Sequence, residues 1–167
     1  MKKAFVFDFD HTIAITQARI LVYDAFSKKP VKRLTAKEFS SYQLKLEYIE
    51  YFDFSEFRDA SFIDAAEATF LLNLAKEVYD ESHSVYILTA RENNVSEAII
   101  AWLKTHGIIP KMVYCIGGEK QTIAENKKQI LLSIMEKYEK CYYYDDCPKN
   151  IEAAPNGGNL RKYQVRC

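Results

Sequence analysis

The sequence predicts an α/β fold of the three-layer, Rossmann-like kind, and three observations carry that prediction. Short apolar or aromatic runs alternate with segments of helical periodicity along most of the 167 residues, the pattern of a parallel sheet whose crossovers are helices. The runs are apolar at successive positions, as in strands buried on both faces. Aspartates and threonines gather where several of these runs end, and the carboxyl edge of such a sheet is where ligands bind.

Strands are predicted at 4–9, 85–88, 112–115, 141–144 and, less sharply defined, 163–165. Between them, Asp64 and Glu67 read as the capping-box start of a helix carrying Leu71, Leu74, Ala75 and Val78. Val95, Ile99, Ile100 and Leu103 form a second apolar stripe that Gly107 ends. Thr122 and Glu125 open a third helix, with Ile130, Leu131, Ile134, Met135 and Tyr138 on its apolar face. The stretch from about 14 to 60 is longer than a crossover needs. A helix over 16–26, a basic segment and an aromatic one point to a small, mainly helical insert after strand one, a flap or cap on a single domain spanning 1–167.

Composition narrows the function. Lys plus Arg and Asp plus Glu number 23 each, so the formal net charge is zero and strong non-specific nucleic-acid binding is not expected. Lys28, Lys29, Lys32 and Arg33 still make a local basic patch. Cys115, Cys141, Cys147 and Cys167 form no C-x-x-C pair and no zinc spacing. No run is long enough to span a membrane, and Asp8 and Asp10 break the first apolar run too early for a signal peptide. A reduced, cytoplasmic protein is expected.

The strand ends carry the chemistry. Strand one runs into Asp8-Phe9-Asp10-His11-Thr12, strand two into Thr89-Ala90-Arg91, and strand four into Asp145-Asp146. Asp8 and Asp10, two apart, can face one site while Phe9 points away. Two like charges ~4 Å apart repel by about 4 kcal/mol at an effective dielectric near 20, so cationic company is required. A hard divalent ion with oxygen ligands supplies it, and so does a lysine. At roughly 100° per residue Lys127 falls within about 15° of the centre of the third helix's apolar stripe, whereas Lys128 falls about 90° away. A lysine on a buried face needs an anion beside it.

In this order the residues resemble the haloacid dehalogenase (HAD) superfamily of phosphotransferases. Asp8-Phe9-Asp10-His11-Thr12 matches the first motif, D-x-D-x-T. Thr89 after Tyr86-Ile87-Leu88 matches the second and Lys127 the third, with Lys128 and Lys120 as alternatives. Tyr144-Asp145-Asp146 with Asn150-Ile151 matches the fourth. The match runs from Ala4 to Ala154, and is similar to small HAD proteins of bacteriophages and to the phosphatase half of phage polynucleotide kinase. His11 stands where glycine is usual. The resemblance implies that Asp8 attacks phosphorus and carries the phosphoryl group, and that Asp10 serves as general acid and then base. Mg2+ would be held by Asp8, the Asp10 backbone carbonyl and Asp146, supported by Asp145. Thr89 and Lys127 would stabilise the phosphoryl oxygens, and Arg91, with Ala90 and Thr12, would meet the substrate phosphate. Asp8 would be kept ionised by magnesium and lysine, and Asp10 protonated by neighbouring carboxylates.

The resulting expectation is a magnesium-dependent phosphomonoesterase. Its partner would be a small phosphorylated substrate or a nucleic-acid end, such as a 3′-phosphate. A phosphoacceptor receiver domain fits less well, because receivers place paired acids early and the acceptor later. A non-catalytic phosphate-binding protein on a HAD fold is the other alternative. The aromatics Tyr42, Tyr48, Tyr51, Phe52, Phe54 and Phe57 either stack on a base or, the favoured reading, pack the insert.

Overall fold

Ala4–Phe7 is buried along its whole length, because strands flank it on both sides and helices cover both faces. The computed structural model describes residues 2–45, 47, 49–118 and 122–166; Tyr48, Lys120 and Cys167 lie outside them. In chain order the elements are β1 (Ala4–Phe7), β2 (Ala14–Ile15), β3 (Ile20–Asp24), β4 (Lys29–Leu34), α1 (Ala36–Ser41), β5 (Glu50–Asp53), α2 (Ser61–Asp64) and β6 (Glu67–Ala68). They continue as α3 (Leu71–Asp80), β7 (Ser84–Thr89), α4 (Ser96–Thr105), β8 (Met112–Cys115), α5 (Ile123–Met135), β9 (Cys141–Asp145), α6 (Pro148–Ala153) and β10 (Leu160–Gln164).

The main sheet has the order β10-β9-β1-β7-β8, and every pairing in it is parallel. From β1 the chain builds outward through β7 to β8, then returns to the other side for β9 and β10. Strand order therefore reverses between β1 and β9, where a crevice opens at the carboxyl edge. Phe5, Phe7, Val85, Ile87 and Val113 pack one face against Leu72, Ala75, Val78, Ile99, Trp102 and Leu103 of α3 and α4. Ala4, Val6, Leu88, Cys141 and Tyr143 pack the other against Leu131 and Ile134 of α5 and Ala154 after α6.

Helix ends follow local chemistry. The Thr122 side chain accepts from Glu125 N–H, fixing the start of α5. α4 stops where Gly107, at φ 74°, lets its own N–H reach the Lys104 carbonyl and that of Ile108 reach Leu103. Asp64 and Glu67 do not cap a helix: Asp64 ends α2, and Glu67 pairs with Ile15 in a two-residue ladder. The start of α3 has no side-chain N-cap bond at Phe70; Thr69 Oγ1 instead accepts from Leu71 N–H and donates to the Thr12 carbonyl.

The insert is not mainly helical. Where a helix over 16–26 is expected, Ile20–Asp24 is the central strand of an antiparallel sheet of order β4-β3-β5. Leu21, Val22 and Tyr23 favour that state because a branched or aromatic side chain on alternating faces packs against cross-strand neighbours. Ile20, Val22 and Leu34 gather Phe39, Tyr42, Leu44, Phe52 and Phe57 into a small core of their own. The chain leaves through β2 and returns through β6, which pair antiparallel as a stem.

Candidate functional site at the carboxyl edge

Asp8 follows β1 directly, and its N–H bonds the Tyr144 carbonyl of β9 at 2.9 Å. That bond holds it at the crevice where strand order reverses. Lys127, one turn into α5, reaches it from the helical layer: Nζ donates to Asp8 Oδ1 at 2.7 Å and to Asp145 Oδ2 at 2.6 Å. Lys127 is 1% exposed, whereas Lys128 is half-buried on the helix flank. Burial alone would lower the pKa of Lys127, but the Asp8 and Asp145 carboxylates outweigh it and hold the ammonium above its ordinary value.

Asp145 is fully buried and saturated with donors. Besides Lys127 it accepts from the Tyr143 hydroxyl, from Cys147 N–H at 2.8 Å and from Asn150 Nδ2 at 3.1 Å. Asp145 thus acts as an anchor for Lys127. Tyr143 and Asn150 orient the anchor, and burial with Asp145 beside it keeps the Tyr143 hydroxyl protonated and donating. Asp8, Asp145 and Asp146 each offer an oxygen within 4.8 Å of the others. An all-carboxylate set of this kind suits a hard divalent cation.

Without a cation, crowding among the carboxylates is felt within the trio. Burial pushes the Asp8 carboxyl well above the ordinary carboxylate value; Lys127 opposes this, and Asp145 and Asp146 add to it. Asp146 is raised as well, by burial and by Asp145, against His11 and Lys127. In the protein alone, then, carboxylate crowding bears on Asp8 and Asp146. A carboxyl whose folded pKa is raised binds its proton more tightly folded than unfolded. Stability therefore grows as pH falls through the raised value toward the ordinary 3.8. Metal-free protein is expected to melt at rising temperature as pH is lowered from neutrality towards the ordinary carboxylate value. An added divalent cation, favouring the ionised carboxylates, is expected to raise the melting temperature near neutrality and remove that trend; thermal melts with chelator or cation check both.

Asp10 lies in different company. Arg91 grips it with Nε on Oδ2 and Nη2 on Oδ1, both at 2.8 Å, and Thr16 Oγ1 donates to Oδ1 at 2.8 Å. Arg91 is 3% exposed; its Nη1 donates to the Phe57 carbonyl at 2.9 Å, and the guanidinium sits 5.1 Å from the Phe57 ring centre. The expected reach of Arg91 to a substrate phosphate is therefore not what the geometry displays: its fork is spent on Asp10 and on the insert. Nor does the Asp10 carboxylate join the acidic trio. Glu92, next to Arg91 in sequence, pairs with Arg58 at 2.9 Å, and Asn94 Nδ2 donates to the Arg58 carbonyl. A short 3-10 helix of the insert, Ser55–Arg58, is thereby fastened to the loop after β7.

The remaining residues divide. The buried Thr89 hydroxyl accepts from Arg91 N–H at 3.2 Å, which leaves its own proton to give. Ala90 is exposed at the strand end. Thr12 is buried, with Oγ1 at 3.5 Å from Asp8 Oδ2. His11 has φ 57°, which explains why glycine is usual there, and its N–H bonds the Ala14 carbonyl. Of the aromatics, Tyr42, Phe52 and Phe57 pack the insert, while Tyr51 and Phe54 are 44% and 38% exposed. The basic patch is partly spent: Arg33 pairs with Glu56 at 2.8 Å, and Lys32 lies over the Tyr42 ring.

Sequence reasoning missed Thr16, Tyr143 and Gly117. A β-carbon on Gly117 would lie 2.3 Å from the Ala90 carbonyl oxygen, so this glycine lets the loop after β8 press on the loop carrying Arg91. A Gly-Gly pair after a strand signals a turn and no more.

No protein-family profile matches the sequence, and no curated protein does. Solved structures do. A haloacid dehalogenase-like hydrolase from Streptococcus pneumoniae superposes with TM-score 0.56 at 15% identity, over 99% of this chain and 85% of that one. The chain has the haloacid dehalogenase-like fold. A second neighbour belongs to the Pnkp1/Rnl/Hen1 RNA repair complex, with TM-score 0.61 and 16% identity. It covers 99% of this chain, which spans 42% of that one. Among the described residues, no helix of this HAD-like fold is long and apolar enough to cross a membrane.

Proposed function

We propose that the protein is a magnesium-dependent phosphomonoesterase working through an aspartyl-phosphate on Asp8. The observation that carries this reading is the Lys127 ammonium bridging Asp8 and Asp145 across the crevice, with Asp146 beside them and Thr89 at the neighbouring strand end. An Asp8 oxygen attacks phosphorus, the bond to the ester oxygen breaks, and Asp10 gives that oxygen its proton. Water then attacks the aspartyl-phosphate while Asp10 takes its proton, releasing phosphate and restoring Asp8. Lys127 and Thr89 face the charge that grows on the phosphoryl oxygens. Asp8 and Asp146 would hold the cation together with the Asp10 backbone carbonyl; when bound, it supplies positive charge against Asp8 and the phosphoryl group.

As placed, both Asp10 oxygens accept hydrogen bonds, which is the form the water step needs. For the first step one oxygen must turn from the guanidinium toward the leaving group. Arg91 is thus a positioning residue in this reading. Arg91→Lys, which keeps the charge and loses the fork, is expected to lower kcat by on the order of 10²-fold with KM nearly unchanged. Steady-state kinetics decide it: a raised KM at preserved kcat would return Arg91 to the substrate phosphate.

The fold shared with a member of an RNA repair complex directs the substrate proposal to nucleotides and nucleic-acid ends, 3′-phosphates among them. Hydrolysis of an aryl phosphate by the purified protein tests the chemistry. Turnover with magnesium and none with chelator is expected; equal rates in both would remove the cation from the scheme.

A further inference from the structure

On the face covered by α3 and α4, three rings stand side by side across three strands. Phe7, Tyr144 and Tyr163 are partners in register. The first two rings are 5.0 Å apart and tilted 12°, the next pair 5.0 Å and 15°. A second row sets Phe5 against Tyr142 at 4.6 Å, with Arg161 opposite Tyr142 on β10. The rings form a column because adjacent strands are about 4.8 Å apart, near the stacking distance.

The helical layer lies over β7 and β8 and leaves the far end of this column open. Tyr142 and Tyr144 are only half-buried, and Tyr163 is 45% exposed. β10 is an edge strand, so the Tyr163 ring has Tyr144 on one side and, among the described rings, nothing stacked on the other. Beside it a cleft of about 460 Å³ is lined by Glu139, Lys140, Tyr142, Arg161 and Tyr163, two cations against one acid. Arg161 is exposed here. Lys162 turns to the opposite face, where Nζ bonds the Ile151 and Ala154 carbonyls.

We propose that this face binds single-stranded nucleic acid, one base continuing the Phe7–Tyr144–Tyr163 stack and a backbone phosphate meeting Arg161. An exposed ring face selects a flat π system and the arginine selects its negative charge, a pairing that neither an aliphatic partner nor a sugar phosphate fits. The column begins one residue before Asp8, and Gln164 of β10 is the partner of Asp145. Tyr163 lies two strand spacings, roughly 10 Å, from the end of β1, and a base on its outer face roughly 14 Å, a span that a few nucleotides of the same strand cover to bring its terminal phosphate to the crevice. That last connection rests on the phosphatase reading; the binding does not.

Fluorescence anisotropy of a labelled hexathymidylate carrying a terminal phosphate tests the binding without turnover. Tyr163→Ala and Arg161→Ala are each expected to weaken it roughly tenfold, with Tyr163→Phe near wild type. Unchanged affinity in both alanine variants overturns the proposal, as does a wild-type protein that hydrolyses p-nitrophenyl phosphate but neither binds nor hydrolyses the oligonucleotide. In that last case the phosphatase reading stands. Binding lost in Tyr163→Ala with no hydrolysis of either substrate supports the face and removes the phosphatase reading. A shift in sedimentation with Tyr163→Ala at constant anisotropy would give the face to a second copy of the chain and overturn the proposal.

Discussion

Asp8→Asn is expected to abolish aryl-phosphate turnover, lowering kcat by on the order of 10⁴-fold or more, while the protein stays folded. The amide removes the attacking oxygen's charge and leaves its volume. Burial and the carboxylates Asp145 and Asp146 already raise the Asp8 pKa, so the folded chain holds that charge against a penalty which asparagine removes. Lys127 keeps Asp145 at 2.6 Å as its anion. The melting temperature without metal is therefore expected to hold or rise near neutral pH, and the gain from added cation to shrink. Acid-quenched protein labelled from a radioactive phosphate ester separates roles: wild type should carry label, and Asp8→Asn none. Substantial turnover by Asp8→Asn would end the aspartyl-phosphate scheme.

Lys127→Met should act on stability as strongly as on activity. It strips the cation from two buried carboxylates, Asp8 and Asp145, which are 6% and 0% exposed. Breaking a buried pair from one side costs about 3–5 kcal/mol, because the remaining charge is left uncompensated. Denaturant unfolding should register that loss near neutral pH and a smaller one in acid, where the orphaned carboxyls take up protons. Lys128→Met, on the half-buried flank of the same helix, should stay within about 0.5 kcal/mol. Similar, small losses for both would mean that the Lys127 contacts contribute little.

These residues were legible in the sequence for a reason that does not extend to the insert. A buried strand declares itself by an apolar run, and an aspartate at the end of that run stands out. Lys127 could be chosen over Lys128 because helical geometry is regular enough to phase a lysine against a stripe. In the insert Ile20–Tyr23 is such a run, but a short apolar run alone does not separate strand from helix, and its neighbours give no help. The strand Ile20–Asp24 pairs with Lys29–Leu34, an edge strand that carries lysines, arginine and proline rather than an alternating apolar pattern. The hairpin between them turns at Lys28, φ 52°, where a sequence reading looks for glycine or asparagine. Arg91 failed differently: its partner lies 81 residues away, and strand ends give no angle from which to choose between a phosphate and an aspartate. Asp64 and Glu67 fit a capping pattern, but pairing of Glu67 with Ile15 overrode it.

The strand order also sets when the site can exist. Ala4–Phe7 is the middle of the sheet, and both its partners come later in the chain, beginning at Ser84 on one side and Cys141 on the other. Until those segments are synthesised, Phe5, Val6 and Phe7 present two unpaired edges, the kind of surface that chaperones shield and aggregation exploits. The contact between Asp8 and Lys127 closes a span of 119 residues, so loop-closure entropy places it late on the folding path. A partly made chain carries Asp8 long before Lys127 and Asp145 exist to meet it. Truncations that end before Cys141 should accordingly be both inert and sticky, a property that ribosome-stalled chains of graded length would expose.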